Sequence, residues 1–500
     1  MRLFILIYCL LLVGCASPID TSRIEKTPSY HLDYADGSRL DKYLQLDVVQ
    51  RNQQTGFLPL NLGHDALLAR IALIDAAEQS IDVQYYIYRD DESSQLLSWK
   101  LYKAAQRGVR VRILLDDMQN RNDSDMARFS HHPNIQVRLF NPHQYRSARS
   151  IAMISDFSRL NRRMHNKSLT VDGITTILGG RNIGNEYFSV SEEVEFGDFD
   201  LLLVGSSVES VSDQFDLYWN SDFSVPIEWL TPETEAINDT IVQQWNDESE
   251  IGVKFSSDKY DFTRLPLYQD FINQQLNFYW ADAEVLYDRP EKMSGEDRSL
   301  IDSLSTILED TEQSLLIISP YFVPTEEGTT NLIEAKKRGI DIIVVTNSLA
   351  SNDVFAVHGW YAKYRKSLVE NGIQLWEIKA NAKIKQYWSF TGSSRSSLHA
   401  KAMIIDKQQL FVGSMNWDPR SVETNTELGV ILTHPEYCEN IYLELPELLK
   451  RSAYQVQLKD GDLIWVDHQQ GYAVDGEPDA SIWRKMGAWF SGILPIEELL

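Results

Sequence analysis

Apolar and polar positions alternate along this chain in blocks that occur twice in the same order. In the first half, Leu67, Leu68, Ile71 and Ala72 recur at helical spacing within residues 65–74. The segment Ile81-Asp82-Val83-Gln84-Tyr85-Tyr86-Ile87 has the length and the β-branched and aromatic content of a buried strand. A second helix is expected over 96–105, and Arg107-Gly108 leads into strands at 109–115 and 135–140. The second half repeats this sequence of elements. Residues 315–322 match the first strand, a helix ends at Arg338-Gly339, and strands follow at 340–345 and 373–376. Counterparts lie roughly 230 residues apart, the mark of an internal duplication. Strands alternating with helices imply a parallel or mixed sheet covered on both faces. The expected fold class is α/β, with two homologous domains at about 51–235 and 290–455. Residues 236–289, acidic and aromatic, read as an inter-domain insertion, and 456–500 as a carboxyl-terminal extension.

A polar pattern of fixed spacing sits inside the same repeat. The first copy is His165-Asn166-Lys167, Asp172, then Gly179-Gly180-Arg181-Asn182. The second is His399-Ala400-Lys401, Asp406, then Gly413-Ser414-Met415-Asn416. Apolar residues fill the gaps, so each copy reads as strand-turn-strand. Side chains alternate across a strand, which puts His165 and Lys167 on one face, and likewise His399 and Lys401. Asp172 and Asp406 fall near the hairpin turns and are expected to brace them. The Gly-Gly and Gly-Ser steps are expected to let backbone approach a ligand closely.

The doubled H-x-K-x4-D pattern resembles the signature of the phospholipase D superfamily. The run from Ile154 to Ser168 is similar to the corresponding segment of bacterial C-type cardiolipin synthases. So are Asp82-Val83-Gln84-Tyr85-Tyr86-Ile87, Ser319-Pro320-Tyr321-Phe322-Val323-Pro324, Thr346-Asn347-Ser348-Leu349-Ala350, Asp418-Pro419-Arg420-Ser421 and the closing Ile493-Leu494-Pro495. The resemblance implies two phospholipase D-like domains whose motifs meet in one active site, with His165, Lys167, Asp172, His399, Lys401 and Asp406 as the catalytic set. Phosphodiester exchange through a covalent intermediate needs a nucleophile on one side of phosphorus and an acid on the other. Histidine serves both roles near neutral pH. By analogy with other two-motif members, His165 is expected to be the nucleophile and His399 the acid. Lys167, Lys401, Asn182, Asn416 and Ser414 are then the expected phosphate-binding groups. Glu427 and Asp200, each near an apolar strand downstream of a motif, are candidates to fix the imidazole tautomers. No cofactor is expected, and no carboxylate or Cys-His spacing suggests a metal site.

Residues 1–14 carry Arg2 and an apolar run too short to span a bilayer comfortably. Leu12-Val13-Gly14-Cys15 resembles the lipobox of bacterial lipoproteins, which implies cleavage before Cys15 and lipidation of that residue. Ala16 after the cysteine favours sorting to the outer membrane, facing the periplasm, over the inner membrane. Residues 15–50 read as a polar tether. Cys438 is left without a disulfide partner.

The formal charge of −25 argues against a general nucleic-acid surface, so no nucleic-acid partner is expected. A phosphate site must be locally basic. Arg146, Arg149, Arg159, Arg162 and Arg163 precede the first motif, and Lys379, Lys383, Lys385 and Arg395 precede the second. Three activities fit the chemistry: a phosphatidyltransferase making cardiolipin, a phospholipase D using water, and a soluble phosphodiesterase or nuclease. The family likeness favours the first, with membrane phospholipids as partners; phosphatidylglycerol and phosphatidylethanolamine both fit a diester site. In the tail, Ile482, Trp483, Met486, Trp489, Phe490, Ile493 and Leu494 recur at helical spacing. Such a helix either lies in a membrane interface or packs on the protein's own core.

Overall fold

Two half-sheets meet edge to edge along a single pair of strands. The computed structural model describes residues 26–119, 123–144, 146, 149, 156–191, 195–231, 262–380, 396–495 and 497. The first half runs Thr55–Leu60 (β1), Gly63–Ala76 (α1), Ser80–Tyr85 (β2), Glu92–Gln106 (α2), Arg110–Asp116 (β3), Ile135–Phe140 (β4), Ser168–Val171 (β5), Thr175–Gly179 (β6), Glu195–Gly197 (β7), Asp200–Gly205 (β8), Ser207–Asn220 (α3) and Ser224–Pro226 (β9). The second runs Tyr279–Tyr287 (β10), Ser314–Ile318 (β11), Thr325–Lys337 (α4), Asp341–Asn347 (β12), Phe355–Glu370 (α5), Gln374–Ile378 (β13), Ser396–Leu398 (β14), Ala402–Ile405 (β15), Gln409–Gly413 (β16), Leu428–Thr433 (β17), Pro435–Ser452 (α6), Ala453–Lys459 (β18), Asp462–Asp467 (β19), Tyr472–Asp475 (β20) and Ile482–Ile493 (α7).

Strands β2, β3 and β4 pair in parallel, and β5, β6, β8 and β1 continue from β2 antiparallel. Strands β11, β12 and β13 repeat the parallel part, and β15, β16, β17 and β10 the antiparallel part. Antiparallel pairing of β1 with β10, through Thr55↔Ala281, Gly56↔Trp280 and Phe57↔Tyr279, joins the halves into one 18-stranded sheet. Gly56 is needed at this seam: a Cβ there would press on Val204 and the Trp280 ring. The core crosses the seam too, since Phe57, Leu178, Leu201 and Leu203 share one apolar cluster with Leu316, Val345, Ala402 and Val430. A central strand such as β2 is buried along its whole length: Ile81, Val83 and Tyr85 join the apolar core on one face, and Asp82 on the other pairs with the buried Arg112.

Three expected boundaries move. Strand β10 lies inside the stretch read as an insertion, yet it pairs with β17 over six residue pairs and belongs to the second half. Only Ala281 and Leu286 along it are buried, a weaker signal than the fully buried central strands give. Residues 26–52 are no free tether. The buried Arg112 and Arg138 donate to the carbonyls of Ser29 and Thr27 at 2.9 and 3.0 Å, and the Ala35 amide donates to the Asp172 carbonyl. The second half extends past residue 455 through β18, β19 and β20. The leader, Cys15 and residues 232–261 of the expected insertion lie outside the described residues.

The tail does form a helix, α7, capped by the Ser481 side chain. It packs on α5 with its small residues, Ala488, Ser491 and Gly492, while Trp483, Trp489 and Phe490 stay exposed. The reading of this apolar face as buried core is therefore wrong.

Candidate active site

The residues before each histidine cross the seam. Met164 makes a parallel bridge to Thr426, and Leu398 pairs with Gly197 where β14 meets β7. The two crossings match in register: the His165 amide donates to the Thr426 carbonyl, and the His399 amide to the Gly197 carbonyl. The residue after each acceptor is an acid. Glu427 thus faces His165, and Asp198 faces His399. His165 Nδ1 lies 2.9 Å from Glu427 Oε2, and His399 Nδ1 lies 2.6 Å from Asp198 Oδ2. Each half supplies the carboxylate for the other half's imidazole.

All four groups are buried. A carboxylate only accepts, so Nδ1 carries a proton in both rings, and each Nε2 holds a lone pair in the neutral ring or a second proton in the imidazolium. Burial outweighs the facing Glu427 and pushes the His165 pKa down to about 4. Burial likewise lowers His399, helped by Lys401. Burial alone would raise Glu427, but His165, Lys167 and the Ser414 hydroxyl hold it at about 2. His399 and Lys401 likewise keep Asp198 well below the usual carboxylate range despite its burial. The Lys167 and Lys401 amines reach the carbonyls of His165 and His399. Burial, with the facing Lys401, brings Lys167 down to about 7, and burial lowers Lys401 as well. Two buried amines whose charge is disfavoured by burial gain a counter-charge from an anionic substrate.

Aromatic rings wall the imidazoles. Tyr86 stands edge-on to His165 at 4.9 Å, and Tyr187 and Phe196 lie 5.3 and 5.1 Å from His399. Behind Glu427, the buried Lys292 amine bonds Asp288 at 2.8 Å, and Asp288 accepts the Glu427 amide at 3.1 Å.

Several expected roles change. Asp200 does not reach an imidazole; it bonds the buried Arg70 at 2.8 Å and the Arg181 amide at 3.1 Å. Residues 198 and 200 lie two apart, about 6.5 Å in an extended chain. Asp200 is held inside the sheet opposite Gly179, and Asp198 emerges where the other half crosses. The register carried this signal. Gly413 opposes Gly429 as Gly179 opposes Asp200, so the residue two before each partner, Glu427 or Asp198, is the equivalent acid.

Asp172 and Asp406 are not at the site. They sit at the far ends of β5 and β15 in left-handed conformation, φ 55° and 52°. Asp172 accepts the amides of Glu78, Gln79 and Ser80 at 2.7–2.9 Å, and Asp406 those of Glu312, Gln313 and Ser314 at 2.6–3.0 Å. Both brace the turn, as expected of the hairpin position, and neither touches a histidine.

Ser414 donates to Glu427 and accepts the Leu428 amide at 3.0 Å, so both its capacities serve the acid. Asn182 is tied between the Ile87 amide and the Tyr187 hydroxyl, each at 3.0 Å. Asn416 differs, because its buried side-chain oxygen has no partner among the described residues. The close backbone approach at the glycines serves the protein's own carboxylates. A Cβ on Gly180 would strike Asp198, and one on Gly179 would strike Asp200.

The basic approaches are spent on protein acids. Arg146 and Arg149 pair with Asp117, Arg159 with Asp156, Arg163 with Asp116, and Lys379 with Asp467. Arg162 donates to the carbonyls of Lys292 and Glu423. Lys383, Lys385 and Arg395 lie outside the described residues. Among the described residues, the grouping of His358, Glu377 and Glu477 has metal-ligand types, and the Arg365 guanidinium occupies it, 2.9 Å from His358 and 3.0 Å from Glu477.

Comparison with known proteins agrees with this architecture. The family model described as "Cardiolipin synthase, PLD-like domain" matches residues 71–218 and 304–448, one match in each half. Cardiolipin synthase C of Escherichia coli is 38% identical over 467 residues, covering 90% of this chain and 97% of that one. A cardiolipin synthase of Oceanobacillus iheyensis is 24% identical, covering 82% and 72%. In fold, a phosphatidylserine synthase from Haemophilus influenzae matches with a TM-score of 0.59 at 13% identity, over 92% of this chain and 99% of that one. With both halves matched and a relative aligned along nearly its whole length, this chain belongs to the phospholipase D-like cardiolipin synthase family.

Proposed function

We propose that the enzyme is a phosphatidyltransferase that makes cardiolipin through a phosphohistidine intermediate. The crossed pairs His165–Glu427 and His399–Asp198 carry the reading, because they hold two imidazoles by Nδ1 in one buried, amine-lined site and leave Nε2 for the chemistry. In the first step His165 Nε2 attacks phosphorus. The Nε2–P bond forms, the P–O bond to the donor head group breaks, and its oxygen takes the Nε2 proton of His399, which enters the step as the imidazolium paired with Asp198. In the second step a hydroxyl of phosphatidylglycerol gives its proton to His399 and attacks phosphorus, and the Nε2–P bond breaks. Phosphatidylglycerol as donor releases glycerol; phosphatidylethanolamine would release ethanolamine. Glu427 stabilises the positive charge on phosphorylated His165, and Asp198 that on protonated His399. Lys167, Lys401 and Asn416 face the anionic diester, whose arrival favours their charged or donor forms.

Labelled phosphatidylglycerol, with and without phosphatidylethanolamine, tests this directly. Labelled cardiolipin is the expected product. Phosphatidic acid as the only product would assign the second step to water and make the enzyme a phospholipase D. Cleavage of nucleic acid, with neither lipid product formed, would make it a nuclease.

The same reading places the enzyme at a membrane. No helix among the described residues is long and apolar enough to cross one. The sequence Leu12-Val13-Gly14-Cys15 supports an acylated amino terminus at Cys15, and Ala16 supports the outer membrane over the inner. Incorporation of labelled palmitate that disappears in Cys15→Ser checks the anchor, and membrane fractionation checks the sorting.

A further inference from the structure

Helix α7 inverts the usual logic of a surface helix. Its small residues face inward. A Cβ on Gly359 of α5 would collide with the Ala488 carbonyl, and one on Gly492 would come to 2.9 Å from the Gly359 carbonyl. This near contact of backbones leaves no room for large side chains between the helices, so they all point out. Trp483 is 77% exposed and Trp489 71%, with Ile482, Met486, Phe490 and Ile493 exposed beside them. Contiguous apolar surface of this kind marks an interaction site, whereas single exposed apolar residues do not.

The patch is continuous with the rim of the active site. The Arg484 guanidinium donates twice to the Asn352 carbonyl, at 3.0 and 2.9 Å. Phe355, half exposed, lies over Gly487, and the neighbouring Val354 is exposed as well. Between Asn352 and Val354 stands Asp353, which accepts the Tyr321 hydroxyl at 2.8 Å and whose charge acts on His399 and Lys401. At the start of the same loop, Asn347 holds the backbone of Leu398 on both sides, at 2.9 Å each, just before His399. One short loop therefore links the bed of His399 to the foot of the aromatic face.

Charge selects the occupant. The chain as a whole carries −25, yet α7 contains Arg484 and Lys485 and no carboxylate. Aromatic rings mixed with a few cations suit the boundary between head groups and acyl chains. We propose that the exposed face of α7, with Val354 and Phe355, seats the enzyme on a phospholipid bilayer and presents the second histidine's side of the site to the head groups. This deepens the proposed function and rests on it for the identity of the substrate, though not for the docking itself.

The test uses the full chain and two readouts. In vesicles of phosphatidylglycerol and brominated phosphatidylcholine, tryptophan fluorescence should be quenched. Trp483→Phe with Trp489→Phe keeps the apolar face but removes the reporters, and should lose more than half of that quenching. This signal is independent of whatever holds the amino terminus. Combined Trp483→Glu, Trp489→Glu and Phe490→Glu should lower turnover of vesicle phosphatidylglycerol at least tenfold. Turnover of short-chain phosphatidylglycerol, kept monomeric, should stay within twofold. Equal quenching in wild type and the phenylalanine variant would overturn the proposal. So would a solution dimer that the glutamate variant dissociates, since the face would then belong to a second copy. Normal quenching without turnover of any phosphatidylglycerol would overturn the proposed function and leave the docking supported.

Discussion

The two halves place the same catalytic pair on different foundations. In one, the longer Glu427 reaches His165 and is itself held by the Ser414 hydroxyl. In the other, the shorter Asp198 reaches His399 and sits against the bare backbone of Gly180, the position equivalent to Ser414. Side-chain length and the residue beneath it trade off, so both carboxylates end within hydrogen-bond reach of Nδ1. The surroundings are not equal, however. Lys401 lies 3.0 Å from His399 Nδ1, whereas Lys167 reaches the His165 carbonyl and stands over the Tyr86 ring. A cation beside Nδ1 disfavours a second charge on that ring, which suits a group that gives its proton away. The halves are related by duplication, and the two histidines are still not interchangeable.

The largest effect should come from the histidines themselves. His165→Ala and His399→Ala should each reduce turnover by about 10,000-fold. With an activated phosphatidyl donor, His399→Ala should still accumulate a covalent adduct that maps to His165 by mass spectrometry, while His165→Ala accumulates none. An adduct on His399 would exchange the two roles.

Next come the acids. Asp198→Asn and Glu427→Gln should each lower turnover by about 1,000-fold, with the melting temperature little changed. Asp200→Asn should do the reverse. It strips the partner from buried Arg70 and should cost about 3–5 kcal/mol in denaturant unfolding while the surviving folded enzyme stays active. If Asp198→Asn were as active as wild type, the crossed pairing would have no catalytic meaning.

A smaller effect tests the foundations. Ser414→Gly gives the second half the floor of the first and removes one bond to a charged group, worth about 1.5–3 kcal/mol. Turnover should fall roughly tenfold or more. Gly180→Ser, the converse, pushes a side chain into Asp198 and should cost more than Ser414→Gly, read from the same assay.

The smallest effect is on pH-dependent stability. His165 titrates at about 4 when folded and at about 6.5 when unfolded. Between those values the unfolded chain binds the extra proton, so stability falls as pH falls from about 6.5 to about 4. In His165→Gln that stretch of the stability profile should be shallower by about one proton, measured by urea unfolding across the range.

The central strands and both histidine motifs were legible because they are local. A buried strand is rich in Val, Ile, Leu and Tyr, so β2, β3, β4 and their counterparts stand out within a few residues of their ends even where a buried ion pair such as Asp82–Arg112 interrupts the run. Strand β10 was missed because its buried residues are few: only Ala281 and Leu286, on opposite faces, reach the core, and the residues between them resemble an ordinary acidic stretch. Asp198 was missed for a different reason. Asp198 and Asp200 share a strand face in the sequence pattern, and only the register against β6 separates the one that leaves the sheet from the one that pairs with Arg70. Ser414 and Asn182 were polar residues in the right motif, but which neighbour takes their hydrogen bonds depends on side chains brought in from elsewhere.

By itself, then, the sequence determined the duplication, the α/β class, the pair of histidines and the amphipathic tail, since each is a matter of short-range spacing. Only the tertiary structure decided which acid serves which imidazole and which face of α7 is buried. The first depends on chain segments 262 and 201 residues apart crossing at a seam. The second depends on Gly359, whose missing side chain lets α7 lie so close that its large residues have nowhere to go but outward.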